Sequence, residues 1–305
     1  MFERVTLDRL KRGIETPSLF GRELNRQFYT RLGRRSYNVN GIDVFAEDWD
    51  NLIILDACRF DMFAEQAADE FDGTLEHRIS RGSSTIEWLR GNVEGREFYD
   101  AVYVTANPQY EWKFSDSSDF HAVHNVWDTD AWDEDRHTVP PDSMTDAVVE
   151  AAENYPEKRI LAHYMQPHYP FLGPSSEEHF DKKSLAFWID IMTGEQEISD
   201  DLLWSAFCET LDVSIPDIQC IVTKLDGKTV ISSDHGQMVG ERARPFPIRE
   251  YGHPHNIYTS ELVHIPWFVC EYETRRVITA EEPAVVEGKI TSDVKERLRN
   301  FGYIE

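Results

Sequence analysis

Basic residues are scarce in this 305-residue chain: 31 Lys and Arg residues stand against 56 Asp and Glu residues, which gives a formal net charge of −25. A surface of this sign repels nucleic acids and anionic membranes, so the composition argues against a general role in binding polyanions and excludes nucleic acid as a partner. The excess of carboxylates is typical of adaptation to high salt, where a dense acidic surface stays hydrated and its self-repulsion is screened. We therefore expect a halophilic protein, although the charge by itself indicates no chemistry.

Cysteine and long apolar runs are also scarce. The four cysteines are widely spaced, without a Cys-x-x-Cys pair, which predicts free thiols at Cys58, Cys208, Cys220 and Cys270. No window approaches the roughly 18 apolar residues of a membrane-spanning helix. The N-terminal stretch MFERVTLDRLKRG lacks the apolar core of a signal peptide. From these features alone we expect a cytoplasmic protein.

The start of the chain departs from the acidic trend. Residues 1–36 contain nine basic and four acidic residues, and Phe20, Leu24 and Phe28 recur at the spacing of an amphipathic helix. We expect a basic amphipathic arm over residues 1–40 and one large domain over residues 41–305. Two interpretations of the arm stay open: it packs on the domain, or it rests on an anionic membrane surface and makes the protein membrane-peripheral.

The rest of the chain alternates short apolar runs with helical patterns, which predicts an α/β fold with a mostly parallel central sheet and helices on both faces. The predicted strands are Asn51–Leu55, Ala101–Thr105, Ile160–Tyr164, Thr229–Ser233 and Ile265–Cys270. Helices are expected at Met62–Ala68, Ile86–Gly91, Ser143–Asn154 and Leu202–Leu225, the last interrupted at Pro216. In such sheets the ligand site lies at the carboxyl ends of the strands.

Two of the predicted strands end in a carboxylate. Asp56 follows the first strand, and Asp234 follows the fourth and is itself followed by His235. A buried, unpaired carboxylate costs several kcal/mol, and a shared divalent cation would offset that cost. Two carboxylates and an imidazole suit Mn²⁺ or Zn²⁺ best, with Mg²⁺ or Ca²⁺ as less suitable ions. The alternative for Asp234 is a cap or turn residue.

Four segments, in order, resemble motifs of the sulfatase branch of the alkaline phosphatase superfamily, which includes arylsulfatases and phosphoglycerol transferases. The first is an apolar strand ending in Asp56 with Arg59 and Asp61 close behind, and the second is the stretch HYMQPHYPF at 163–171. The third is VISSDHG at 230–236, followed shortly by Gly-Glu at 240–241. The fourth begins with Gly-His at 252–253 and continues to Pro-Trp at 266–267. The resemblance implies the fold of that superfamily over most of the chain.

The resemblance also implies roles for single residues. Asp56, Asp234 and His235 would be metal ligands, and His168 and His253 would line the pocket, either holding anionic oxygens or protonating the leaving group. Arg59 would hold an oxygen of the ester through its guanidinium, or would simply pair with Asp61. His163 lies within a predicted strand and is open to interpretation as a core histidine. A second-metal motif of the Asp-x-x-x-His type is absent near His168, because Tyr164 occupies its i−4 position.

The nucleophile implied by the resemblance is a Cys, Ser or Thr at the start of a helix. A Cys-x-Pro-x-Arg motif is absent, because Cys58 is followed by Arg-Phe-Asp-Met. Cys58 also lies only two residues after Asp56, too close to be the nucleophile. Both observations disfavour a formylglycine sulfatase. Small hydroxyl residues instead precede the helix predicted at Ile86, a pattern that is also typical of plain helix capping. Alignment with the family motif makes Ser84 the first choice and Thr85 the second.

These expectations together predict a metal-dependent hydrolase or transferase that acts on phosphate or sulfate esters through a Ser or Thr nucleophile. The substrate would be a small molecule, a glycan or a lipid-linked compound. The alternative is a degenerate member of the superfamily that binds anionic glycans without turnover.

Overall fold

The computed structural model describes residues 17–180 and 187–283. The first sixteen residues of the predicted arm lie outside the described residues. The strands are β1 (Asn51–Asp56), β2 (Gly73–Ile79), β3 (Glu97–Thr105), β4 (Asp119–Asn125), β5 (Arg159–Pro167), β6 (Thr229–Ser232), β7 (Met238–Arg242), β8 (Arg249–Gly252) and β9 (His264–Cys270). The helices are α1 (Pro17–Tyr29), α2 (Phe60–Gln66), α3 (Thr85–Asn92), α4 (Gln109–Lys113), α5 (Pro141–Asn154), α6 (Pro174–His179), α7 (Phe187–Thr193), α8 (Asp200–Lys224) and α9 (Ser260–Val263).

Seven strands form the central sheet in the order β2-β9-β6-β1-β5-β3-β4. The five strands β6, β1, β5, β3 and β4 run parallel to one another. β9 lies antiparallel between β6 and β2. The predicted α/β fold with a mostly parallel sheet is therefore confirmed, and the direction of β9 is an addition that its apolar sequence did not reveal.

The central strands bury both faces because their apolar side chains alternate between two cores. Ile53 and Leu55 of β1 belong to the core beneath α2, α5 and α8, whereas Leu52 and Ile54 belong to the core beneath α3 and α4. Strands covered on both sides consist of continuous apolar residues rather than alternating ones, as NLIIL does. The carboxyl end of β1 is thus fixed in the middle of the molecule.

Helix α8 runs unbroken through Pro216, so the predicted interruption at that residue is wrong. Proline removes one backbone hydrogen bond and normally kinks or ends a helix. Here Leu211, Ile215 and Ile218 are buried on both sides of Pro216. Continuous packing of the helix against the core therefore offsets the local loss.

Helix α1 lies on the hairpin formed by β7 and β8. Arg22 pairs with the buried Glu250 of β8, with Nε to Oε2 at 2.7 Å. Phe20 and Phe28 on the other side of the helix are exposed. The division of the chain at residue 40 stays a prediction.

Further features concern the cysteines and the lengths of the helices. Cys58, Cys208, Cys220 and Cys270 are free thiols, as predicted. Among the helices in the described ranges, none is both long enough and apolar enough to cross a membrane.

Candidate active site

Asp56 closes β1 at the point where the pairing of that strand with β5 shifts register. It is almost fully buried, and its Oδ2 accepts hydrogen bonds from Asn107 Nδ2 at 2.9 Å and Thr85 Oγ1 at 3.3 Å. Burial, followed by the nearby charge of Asp234, raises the pKa of Asp56 well above its usual value. A bound cation would oppose both effects on the pKa of Asp56, because its positive charge would offset the buried negative charge.

Asp234 follows β6, the strand beside β1, and is fully buried. Its Oδ1 accepts backbone N–H groups from Ala57 at 3.1 Å and His235 at 2.8 Å. Burial opposes its ionisation, but the imidazoles of His235 and His163 lower its pKa below the usual value. Asp234 is therefore the carboxylate of the pair that stays ionised.

Two imidazoles face these carboxylates. His235 Nε2 lies 3.4 Å from both Asp56 Oδ1 and Asp234 Oδ2, and its Nδ1 contacts the carbonyl oxygen of Gly236 at 2.8 Å. His163, on β5, places Nε2 at 3.6 Å from Asp234 Oδ2 and Nδ1 at 2.8 Å from the hydroxyl of Tyr103. A second hydrogen bond of this kind is what orients a metal-binding histidine.

The donor set fits a divalent metal ion. Asp56 Oδ1, Asp234 Oδ2 and His163 Nε2 are buried but have no hydrogen-bond partner within the described part of the chain. Ligand atoms of Asp56, His163 and Asp234 all lie within 4.8 Å of one another. Buried polar atoms are nearly always paired, so unpaired acidic oxygens beside an imidazole indicate that a cation belongs between them. Of the two imidazoles, His235 is the one equally close to both carboxylates.

The first residue of α3, Thr85, presents its hydroxyl to this cluster. Thr85 Oγ1 lies 3.3 Å from Asp56 Oδ2 and 3.4 Å from His235 Nε2. Ser84, the residue before the helix, has an extended backbone, and its Oγ contacts His255 Nδ1 at 2.7 Å instead. Of the two predicted candidates, Thr85 and not Ser84 contacts the cluster, because the change from extended to helical backbone turns the two neighbouring side chains in different directions, and the identity of the nucleophile stays a prediction.

Other hydroxyls near the cluster hold the chain in place. Ser80 Oγ donates to the carbonyl oxygen of Asp234, and Ser83 Oγ donates to the carbonyl oxygen of Pro254 at 3.0 Å. Ser233 Oγ donates to the carbonyl oxygen of Leu55 at 2.7 Å and so ties the end of β6 to the end of β1. These three serines fix the segments that carry the site.

His168 and His253 lie together beside the cluster. Their ring centroids are 4.8 Å apart, and the ring of His253 is also 4.8 Å from that of His235. Burial, followed by the proximity of His235, lowers the pKa of His168 to about 4. Burial, followed by the proximity of His168, lowers the pKa of His253 as well. Both lowered pKa values favour the neutral imidazole, and its proton lies on Nδ1, because Nδ1 of His168 contacts the carbonyl oxygen of Tyr169 and Nδ1 of His253 lies 3.4 Å from the side-chain oxygen of Gln237.

Arg59 is already paired. Its guanidinium contacts Asp61 Oδ1 at 2.8 Å through Nε and contacts Glu241 through Nη1, and it lies over the ring of Trp204. Two carboxylates neutralise its charge, so the predicted role of Arg59 in binding an ester oxygen is not supported by these contacts. The predicted alternative, a pair with Asp61, is the observed one.

Sequence reasoning missed Asn107, whose amide contacts Asp56, and left the role of His163 open. Asn107 follows the end of β3, so the rule that ligand sites lie at carboxyl ends of strands applies to it too. His163 gave no signal because a histidine inside an apolar strand is ordinarily a core residue. Glu87 is a third addition: it is buried on α3 and accepts the N–H groups of Ser83 at 3.2 Å and Asn256 at 2.5 Å.

No family model matches the sequence, and no curated protein matches it. Several solved structures resemble it. For the lipooligosaccharide phosphoethanolamine transferase A of Neisseria meningitidis, an integral membrane protein, the TM-score is 0.44 at 13% identity over 73% of this chain and 47% of the other. For the zinc complex of the C-terminal periplasmic domain of EptC from Escherichia coli, the TM-score is 0.47 at 12% identity over 75% of this chain and 76% of the other. For an alkaline phosphatase superfamily protein of Vibrio parahaemolyticus, the TM-score is 0.45 at 11% identity over 81% of this chain and 65% of the other.

The predicted cytoplasmic location is contradicted by this comparison. The EptC structure is a periplasmic domain and the transferase of Neisseria meningitidis is an integral membrane protein. The lack of an apolar run near the N-terminus describes only the printed sequence and does not decide the compartment.

The comparison concerns the fold alone, and the activity of this chain has to be argued from its own residues. This chain spans about half of the transferase of Neisseria meningitidis, 47% of its length. The neighbours lie in the superfamily that the four sequence motifs predicted, the alkaline phosphatase superfamily.

Proposed function

We propose that this chain is an enzyme that breaks or transfers phosphate or sulfate esters, with Thr85 as the nucleophile beside one divalent metal ion. The observation that supports this most directly is the position of the Thr85 hydroxyl. It lies at the first residue of a helix and contacts both Asp56 and His235. A hydroxyl, a cluster of buried carboxylates and imidazoles, and a helix N-terminus thus lie within a few ångströms of one another, which supports the proposal.

Asp56, Asp234 and His235 would hold the ion, with His163 completing or orienting the set. Mn²⁺ or Zn²⁺ suits two carboxylates and an imidazole best. When bound, such an ion lowers the pKa of a neighbouring hydroxyl and offsets charge on the ester oxygens.

In the proposed reaction, Thr85 Oγ1 attacks the phosphorus or sulfur atom. A bond from Oγ1 to that atom forms while the bond to the leaving oxygen breaks; the hydroxyl proton passes to Asp56 Oδ2, its acceptor at 3.3 Å, and the leaving oxygen takes a proton from water. N–H groups at the start of α3 face the developing negative charge, as helix N-termini do with anions. Water (hydrolysis) or an alcohol (transfer) then breaks the Thr85 ester and regenerates the hydroxyl.

His168 and His253 are proposed to line the pocket that holds the ester. His168 Nε2 is buried and has no hydrogen-bond partner within residues 17–180 and 187–283. Its Nδ1 contacts the carbonyl oxygen of Tyr169, which can only accept, so the single proton of the neutral imidazole lies on Nδ1 and Nε2 is an acceptor. The neutral ring would accept a hydrogen bond from a hydroxyl or a water beside the ester, whereas either predicted role, holding an anionic oxygen or protonating the leaving group, would need the protonated ring.

A hydroxyl in contact with the cluster argues against the alternative, a degenerate protein that binds glycans without turnover. The test is cleavage of aryl phosphate monoesters, phosphate diesters and aryl sulfates after chelation and after addition of Zn²⁺ or Mn²⁺. Thr85→Ala is expected to lower the rate by at least about a thousandfold, as loss of a nucleophile does. The matched variant Ser84→Ala is expected to retain most of the activity.

Two results would refute this function. One is full activity after thorough removal of metal. The other is a Thr85→Ala variant that cleaves the esters as fast as the unchanged chain. If Ser84→Ala instead lost most of the cleavage rate, Ser84 would be the nucleophile.

A further inference from the structure

Helix α1 contacts the rest of the protein through its last residue, Tyr29, which packs against Tyr258, and otherwise mainly through polar and small residues. Gly21 lies so close to Ile248 that an added Cβ would meet Ile248 Cγ1 at 2.3 Å. The amide of Asn25 donates to the carbonyl oxygen of Phe246 at 2.8 Å and accepts the N–H of the same residue at 2.9 Å. A surface helix ordinarily buries its apolar side, and α1 does the opposite.

Its apolar side faces outward. Phe20, Leu24 and Phe28 on successive turns, and Leu32 just beyond the helix, are 63%, 36%, 59% and 71% exposed. The tip of the β7–β8 hairpin adds Phe246, which is 43% exposed and bonded to Asn25. Single exposed apolar side chains are ordinary, whereas a group of them marks an interaction surface. We call these five residues the α1 surface.

Arginines surround the α1 surface. Residues 17–36 contain five arginines and one acidic residue, and residues 242–249 contain three arginines and no acidic residue. These two segments hold eight of the 31 basic residues in a chain whose net charge is −25. Arg31, Arg34, Arg242 and Arg244 are exposed. Arg22, Arg26 and Arg249 pair with carboxylates, so the positive charge beside the exposed apolar side chains comes from the other arginines of these two segments.

We propose that the α1 surface docks on a membrane that contains anionic lipids. Phe and Leu side chains would enter the boundary between headgroups and acyl chains, while the flanking arginines would contact lipid phosphates. A second copy of the chain is a poorer occupant, because it would bring the arginines beside one α1 surface against those beside the other, whereas an anionic membrane offers these arginines the opposite charge.

Docking would also hold the candidate site about the length of one hairpin from the membrane. The hairpin that supplies Phe246 ends at Gly252, directly before His253. A lipid-anchored ester is therefore the substrate class that docking would present to the site. This last step rests on the proposed function, whereas docking itself does not.

The test is cosedimentation of the full chain with vesicles of phosphatidylcholine, with and without phosphatidylglycerol, at the lowest salt concentration that keeps the chain folded. The chain is expected to bind the anionic vesicles and to dissociate as salt rises. The double variant Phe20→Ser/Phe28→Ser is expected to bind at least about tenfold more weakly, because two aromatic side chains no longer leave water. Arg31→Glu/Arg34→Glu is expected to weaken binding to the anionic vesicles as well.

The matched control is Val213→Ser/Val277→Ser, which changes two exposed apolar side chains elsewhere and is expected to bind like the unchanged chain. Equal binding of the Phe20/Phe28 variant, or no binding of the unchanged chain to anionic vesicles, would overturn the proposal. A dimer in sedimentation velocity that the same variant dissociates would assign the surface to a second copy instead. Loss of ester cleavage with vesicle binding intact would count against the proposed function alone.

Discussion

Asp56 and Asp234 lie at the ends of neighbouring strands and are both buried, but their surroundings shift the pKa values of the two carboxyl groups in opposite directions. Asp234 has two backbone N–H groups and two imidazoles around it, which keep it ionised. Asp56 has an amide and a hydroxyl, and Asp234 itself raises its pKa. Two adjacent buried carboxylates cannot both carry charge without compensation. Without a cation the pair would hold a proton, and with one it would release it.

The two imidazoles are expected to differ in their contribution to metal binding. His235→Ala should weaken Zn²⁺ binding by more than about a hundredfold, because Nε2 of His235 is close to both carboxylates. His163→Ala should weaken it by about tenfold, because Nε2 of His163 is close to Asp234 alone. Calorimetric titration of the metal-free full chain measures both affinities.

The half-buried His124 on β4 provides the control, and His124→Ala should bind Zn²⁺ with unchanged affinity. If His163→Ala abolished binding and His235→Ala did not affect it, the third ligand would be His163.

At the scale of single elements, α3 is held in place by its own side chain. Glu87 accepts the N–H of Ser83 before the helix and the N–H of Asn256 in the segment that follows His253. One buried carboxylate thus connects the start of the Thr85 helix to the segment that carries a pocket histidine.

Replacing that carboxylate by an amide should disturb both segments. Glu87→Gln removes one of the two acceptor oxygens and is expected to lower the free energy of unfolding by about 1–3 kcal/mol. The rate of ester cleavage should fall as well, because the position of Thr85 depends on this contact. Chemical unfolding and the aryl ester assay measure these effects, with the exposed Glu94→Gln as the control. Equal behaviour of the two variants would show that Glu87 does not position α3.

The segment after β9 is fastened by an ion pair. Arg275 contacts the buried Asp50 at 2.6 Å and the exposed Asp48 at 2.8 Å. Burial acts to raise the pKa of Asp50, but hydrogen bonds from Arg275 and from the backbone of Lys228 lower it overall. A carboxyl group whose pKa is lowered by folding stabilises the folded protein at every pH above its ordinary pKa. That stability is lost as the pH falls through the lowered pKa.

Arg275→Gln should therefore unfold at a higher pH during acid titration than the unchanged chain. At neutral pH its free energy of unfolding should fall by about 1–3 kcal/mol, since Asp50 stays buried with fewer partners. Arg136→Gln, which breaks an exposed pair with Asp133, is the control and should change little. Coincident acid transitions for all three proteins would exclude a role for the Arg275 pair.

For the whole molecule, the net charge of −25 dominates its response to salt. The distance over which charges interact falls from roughly 10 Å at 0.1 M salt to roughly 3 Å at 1 M. The temperature of unfolding, followed by circular dichroism, should therefore rise as KCl is added over that range. KBr at equal ionic strength serves as the control and should give a similar rise, and an unfolding temperature that did not depend on salt would contradict the expected halophilic character.

Local sequence predicted the central strands well, because strands buried on both faces consist of continuous apolar residues, as at Asn51–Leu55. It also predicted that Asp56 and Asp234 would meet, because the ends of parallel strands share one edge of the sheet. The choice between Ser84 and Thr85 lay beyond it, since this depends on which residue first adopts helical backbone angles. The contacts of His163, and those of Arg59 with Glu241 and Trp204, depend on partners far away in the chain, and no local pattern encodes them.

The tie between Ser233 and Leu55 joins residues 178 positions apart along the chain. The two carboxylates therefore come together only after the chain has been made beyond Asp234 and β6 has joined β1. A nascent or cleaved chain that lacks β6 would have no metal site, so metal capture would report completed folding. By mass action, captured metal would then slow the opening of the centre of the sheet.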